Sequence, residues 1–189
     1  AVQDGIPIAS HVPFLASAEA DRKRLTFHVA RANPLAEVIA TWPPVLAIVP
    51  GPDSYISPDW YETPHQVPTW NYVSVHLTGS ARILSSDAAL GHVEALSAWF
   101  EALLLPKRPW STAKMPPAVR DRMLAAITPI EITVEKIKAQ WKLGQHKSAA
   151  DQDGVTRLLD WHGDWSGRAL AEMMKARAAR PVQPGWLGN

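Results

Sequence analysis

Arg31 and Asn33 are the first residues in this chain whose types and spacing could do chemistry. They lie in HVARANP (His28–Pro34), where an alternating run gives way to a helix start. A helix N-terminus offers free N–H groups and a favourable dipole to an anion, and an arginine adds a bidentate charged contact. That pattern suits a phosphate. It equally suits a plain cap, with Asn33 closing the helix and Arg31 a solvated charge. A second set lies between Gly51 and Tyr72, in GPDSYISPDWYETPHQVPTWNY, which holds four prolines, two tryptophans and three tyrosines. Pro58, Pro64 and Pro68 push Ser57, Thr63 and Val67 toward extended geometry. Trp70, beside Thr69 and Asn71 and ahead of Tyr72, could then wall a pocket for a flat ligand. The competing reading is a loop whose rings plug the edge of a sheet.

Other chemistries leave no signature. There is no GxGxxG, P-loop, HExxH or GxSxG. The seven histidines are His11, His28, His65, His76, His92, His146 and His162, and no pair has helical ligand spacing, so no metal site is expected. The late basic residues, Lys136 to Lys147 and Arg168 to Arg180, are interrupted by acids and read as a solvated face. No helix-turn-helix or finger accompanies them, so direct nucleic-acid binding is not expected.

These residues need elements to hold them. Ile6–Ala16 reads as an extended strand, and Leu25–Ala30 (LTFHVA) alternates as a half-buried strand, the two forming a hairpin around a polar turn near Asp21, Lys23 and Arg24. A short helix should start at Pro34, with Asn33 as its cap. Val45–Val49 is a short apolar strand. Tyr72–Leu84 alternates again, and Gly79 inside it signals a bulge or a close backbone approach. Leu90, Val93, Leu96, Phe100 and Leu104 set an amphipathic helix over 87–105, and a shorter one covers 117–126. Ile127–Ile137 alternates as a strand. Residues 151–180 are helical with a break near Gly163, and 181–189 form a tail. The pattern is α+β, or a small barrel with helices packed on it.

The 189 residues suffice for one domain with a core of its own. A net charge of +1 gives no overall field toward nucleic acid or membrane, and no apolar run is long enough to span a bilayer. There is no cysteine, which removes thiol chemistry and disulfides and is compatible with the cytoplasm. The numbering starts at Ala1 without Met, and the natural N-terminus is expected to lie outside it.

Five blocks carry a family resemblance: HVPF (His11–Phe14), HVARANP (His28–Pro34), GPDSYISPDWY (Gly51–Tyr61), VPTWNY (Val67–Tyr72) and WKLGQ (Trp141–Gln145). Together they resemble the PaiB-type FMN-binding proteins, often called negative transcriptional regulators, from about residue 5 to residue 175. The resemblance implies one FMN-binding split β-barrel domain over 1–189 with flanking helices, a cytoplasmic homodimer holding flavin at the subunit interface. It implies a cofactor site drawn from His11, Pro13, His28, Arg31, Asn33, Thr69, Trp70, Asn71, Tyr72, Lys142 and Gln145. It assigns the FMN phosphate to the RANP junction and the ring to the HVPF segment.

The sequence departs from the family pattern in lacking its first helix and strand, and at Pro50, Gly144 and His146. An FMN-dependent oxidoreductase is one expected role, with His11, His28 and Tyr72 as candidate proton donors and no catalytic residue assigned. A non-catalytic regulator acting through a protein partner is another. A haem-binding barrel with His146 as axial ligand is a third.

Overall fold

The computed structural model describes residues 1–19, 22–41 and 43–178. The expected tail at 181–189 lies outside these. Alternation builds the central strands. Strand β4 (Arg22–Ala30) buries Leu25, Phe27 and Val29 and leaves Thr26 and His28 half-buried on its other face. It pairs antiparallel with β3 (Leu15–Glu19), so a hairpin forms with Glu19 opposite Arg22, its first strand starting at Leu15 and not at Ile6. Lys23 and Arg24 lie within β4 rather than in the turn. On its other side β4 pairs antiparallel with β7 (Ile127–Lys142), with His28 opposite Pro129.

The expected strand over Ile6–Ala16 does not form. Only β2 (Ile6–Pro7) pairs, with β1 (Val2–Gln3), and His11–Phe14 runs as irregular chain before β3. Pro13, in the irregular part, lacks the N–H that a ladder needs.

Strands β5 (Pro44–Ile56) and β6 (Thr69–Ile83) complete a five-stranded antiparallel sheet ordered β3-β4-β7-β6-β5. β5 is longer than VLAIV suggested: Pro50 and Pro52 are tolerated because β5 is an edge strand, whose free side needs no ladder N–H. Gly79 in β6 makes the close approach its type suggested: a Cβ there would lie 1.9 Å from the carbonyl oxygen of Thr133 on β7.

Helix α1 (Pro34–Ile39) follows β4, and α2 (Ala88–Ala102), α3 (Pro117–Ala125), α4 (Ala149–His162) and α5 (Trp165–Ala178) complete the helical set. The break between α4 and α5 falls at Gly163, where a Cβ would meet the Leu159 carbonyl oxygen at 2.3 Å. The α2 stripe differs from expectation. Its buried face is Ala89, His92 and Leu96, whereas Phe100 and Leu104 are exposed. α2 packs against β4, where Ala89 permits a close approach.

The chain divides into two compact units, Ala1–Ala47 with Leu77–Ile137, and Ile48–His76 with Lys138–Asn189. In the second, Ile56, Val73 and Leu143 pack with Val155, Leu159, Leu170, Ala171 and Met174 of the α4–α5 pair. Among the described residues no helix is long and apolar enough to cross a membrane.

Candidate functional site

In the first unit the site residues gather around the end of β4. Asn33 is the N-cap of α1: its Oδ1 accepts from the Leu35 N–H at 2.9 Å. Pro34 has no N–H, and the Ala36 N–H bonds the Asn33 carbonyl at 3.0 Å. The free helix amides expected at this junction are therefore already occupied. The other end of the Asn33 amide donates to Ser10 Oγ at 3.0 Å. That contact ties the irregular segment carrying His11 and Pro13, both exposed, to the junction. The Arg31 backbone N–H bonds Ala126 O at 2.8 Å, while its side chain is exposed and enters no ion pair among the described residues. Arg31 is thus the uncommitted charge at this place.

His28 stands three residues before Arg31, and sequence reasoning missed its partner. His28 Nδ1 lies 3.1 Å from His92 Nε2 on α2, the rings meeting edge to face with centroids 5.3 Å apart. His92 is buried, and its Nδ1 has no hydrogen-bond partner among the described residues. Burial holds the pKa of both rings below the usual 6.5, and for His92 the neighbouring His28 adds to it. Both are therefore neutral at pH 7. The available signal was position: His92 lies three residues after Ala89 and four before Leu96, on one helix face.

In the second unit the aromatic segment is clamped rather than loose. Ser57 is extended at φ −72 and ψ 140, and Pro58–Trp60 make one 3-10 turn. Asp151 of α4 accepts from both the N–H and the hydroxyl of Thr63 at 2.9 Å, and the Thr63 N–H heads the contacts that hold its carboxyl below the usual range. The Asp53 N–H donates to Ser166 of α5 at 2.9 Å. A Cβ on Gly154 would lie 2.5 Å from the Trp60 carbonyl oxygen, so α4 must have glycine there. Trp60 and Tyr61 pack on the α4–α5 core, which is the plugging role.

Trp70 does not share that role: it is 50% exposed. Its neighbour Asn71 is 2% exposed, with Nδ2 3.9 Å from Met174 Sδ and Oδ1 without a partner among the described residues. Thr69 accepts from Lys142 Nζ at 2.8 Å, and the Tyr72 hydroxyl donates to Gln140 at 3.3 Å. Gln145 braces the end of β7: its Oε1 accepts from the Leu143 N–H at 2.8 Å and its Nε2 donates to Trp141 O. Gly144, inside that brace, sits at φ +67, which favours glycine over any L side chain. His146 is exposed in the turn that follows.

The eleven expected residues therefore fall into two groups, one in each unit. Ser10 and His92 join the first, and Gln140 and Met174 the second.

An antiparallel sheet with flanking helices defines the class of protein: an α+β fold of the flavin-binding split-barrel kind. The FAD and haem binding protein from Mycobacterium smegmatis superposes with a TM-score of 0.52 at 18% identity, over 87% of this chain and 70% of its own. The flavocytochrome Anf3 from Azotobacter vinelandii gives 0.50 at 18% identity, over 80% and 64%. Residues 1–136 match the family described as "Putative FMN-binding domain", and the chain belongs to that family. Protease synthase and sporulation protein PAI 2 of Bacillus subtilis (strain 168) is 29% identical over 180 residues, 95% of this chain and 86% of its own length. Uncharacterized protein AN0679 of Emericella nidulans is 24% identical over 204 residues, 89% and 81% respectively.

Proposed function

We propose that this protein binds FMN as a single-domain, cytoplasmic homodimer and serves a flavin-dependent redox or regulatory role. The observation that carries the reading is the FMN-binding family match over residues 1–136, which takes in residues of both units and nine of the eleven site positions. The donor set fits the cofactor. In the first unit Arg31 offers an uncommitted guanidinium of the kind a phosphate takes; in the second, Trp70 offers an open indole face for a flat ring and Asn71 an acceptor with no partner among the described residues. FMN supplies the redox chemistry when bound. His11, His28 and the Tyr72 hydroxyl remain the groups able to hold or pass a proton.

The homodimer is supported by exposed apolar side chains in each unit, among them Trp99 and Leu103 in one and Trp161 and Trp165 in the other. Light scattering at micromolar concentration should report twice the chain mass.

The absorption spectrum of the purified protein tests the reading. Flavin bands, or their appearance on adding FMN with a stoichiometric endpoint, are expected. A Soret band with no flavin would transfer the site to haem, and neither chromophore after reconstitution would remove the cofactor reading. A second reading, a regulator acting through a protein partner without catalysis, is favoured by the relation to a sporulation protein. A flavin that binds but is not reduced by any nicotinamide or small-molecule donor would select it.

A further inference from the structure

The His28–His92 contact joins two neutral rings, so one nitrogen must donate and the other accept. Two arrangements satisfy that contact, and they differ in what they leave at His92 Nδ1. If His28 Nδ1 carries the proton, His92 accepts at Nε2 and must carry its own proton on Nδ1. That atom is buried with no partner among the described residues, so an N–H would be orphaned. If His92 Nε2 carries the proton, His28 accepts at Nδ1, and His92 Nδ1 is a bare ring nitrogen. Buried orphan N–H groups are rarer in folded proteins than unmet acceptors. The second arrangement is the one this packing favours.

We infer that His92 is a positioning residue that fixes His28 as its Nε2–H tautomer, so that His28 presents a standing hydrogen-bond donor to an acceptor oxygen of the bound flavin. The donor half rests on the FMN reading above; the tautomer half rests on the protein alone. The same pairing fixes the ring's orientation, because His28 comes from β4 and His92 from α2, two elements packed on one another. His28 Nε2 makes no hydrogen bond among the described residues, and the residue is half-buried, so the donor remains available. Three residues on, Arg31 brings a second uncommitted donor. A histidine locked this way needs no reorganisation when an acceptor arrives.

Long-range proton–nitrogen NMR of the ligand-free protein near neutral pH reads the tautomers directly. Pyrrole-type Nε2 and pyridine-type Nδ1 signals are expected for both histidines. A pyrrole-type His28 Nδ1, or a tautomer mixture at His28, overturns the inference even if no variant folds. His92→Phe should release His28 into a mixture, and His92→Gln, which keeps a donor near the same place, should restore the single form. A His28 that stays locked in a folded His92→Phe overturns the role of His92.

On adding FMN, the His28 Nε2 signal should shift, and FMN affinity should fall about tenfold in His92→Phe with recovery in His92→Gln. FMN that binds without moving that signal overturns the donor half. FMN that does not bind the parent protein at all overturns the FMN reading and the donor half with it, and the ligand-free spectrum still decides the tautomer.

Discussion

At the end of β4, Asn33 has both ends of its amide committed inside the protein, to Ser10 and to Leu35, while Arg31 beside it stands exposed and enters no ion pair among the described residues. At the start of β6 the commitments are reversed. There the exposed Lys142 is the paired group, on Thr69, and the buried Asn71 keeps an acceptor without a partner among the described residues. An exposed, uncommitted cation contributes little to folding, so its loss should be felt in binding if anywhere. A buried, unpartnered acceptor is a liability in the folded protein, so removing it can help stability even where it harms function. Mutation should separate binding from stability in opposite ways at the two places.

Arg31→Ala should show the largest effect on binding. Losing a charged hydrogen bond to phosphate costs about 2–3 kcal/mol, roughly a hundredfold in FMN affinity. The melting temperature should hardly move, because the side chain is exposed. Isothermal titration alongside thermal denaturation checks both. An unchanged affinity would make Arg31 a solvated surface charge and end the contrast.

Asn71→Leu sharpens the other half. A similarly shaped apolar side chain removes the unpartnered Oδ1 and packs against Met174, so urea stability should stay level or rise by about 1 kcal/mol. FMN affinity should fall about tenfold. A fall in stability with no change in binding would mark Asn71 as a structural residue only.

The two halves were not equally legible in the sequence. Asn33-Pro34 announced a cap by local chemistry alone, and the cap is there. The β4 alternation showed which side chains face the core, and Gly79 its close approach. What failed was long-range. Pro13 denies the stretch before β3 a ladder N–H, although its apolar content reads as strand. The α2 face was misjudged because Leu90, Val93 and Phe100 carry a helical period too, and only the packing on β4 decides that Ala89, His92 and Leu96 turn inward. His92 was therefore passed over. The commitment of Lys142 to Thr69 joins residues 73 positions apart, beyond any local pattern.

The histidine pair gives the first unit a pH dependence of its own. Both rings are held below the usual 6.5 in the folded protein by burial. The unfolded chain therefore binds protons more readily, and stability rises with pH across that interval. The contribution is fully present above about pH 6.5 and is lost as pH falls through the folded values. Urea midpoints measured above pH ~7 and near pH ~5 should differ in that direction, and the difference should shrink in His92→Phe. An equal slope in that variant would assign the dependence to other groups.

Trp70→Phe should produce the smallest change, and it asks whether the second unit's open ring is a ligand surface. Trp60 and Tyr61 pack on the α4–α5 core, whereas Trp70 is 50% exposed, so the same segment carries both kinds of aromatic. If Trp70 plugged the fold, a smaller ring would leave a cavity costing roughly 1–3 kcal/mol. Its exposure says otherwise, and stability should stay within about 0.5 kcal/mol of the parent. An indole stacked on a flavin contributes about 0.5–1.5 kcal/mol beyond the area it covers, and phenyl keeps part of that. FMN affinity should therefore fall only a fewfold, while quenching of flavin fluorescence drops measurably. Unchanged quenching and affinity in a stable variant would take Trp70 off the ligand. The open indole would then belong with Trp161 and Trp165 as exposed apolar surface, for which association with a second copy is the proposed role.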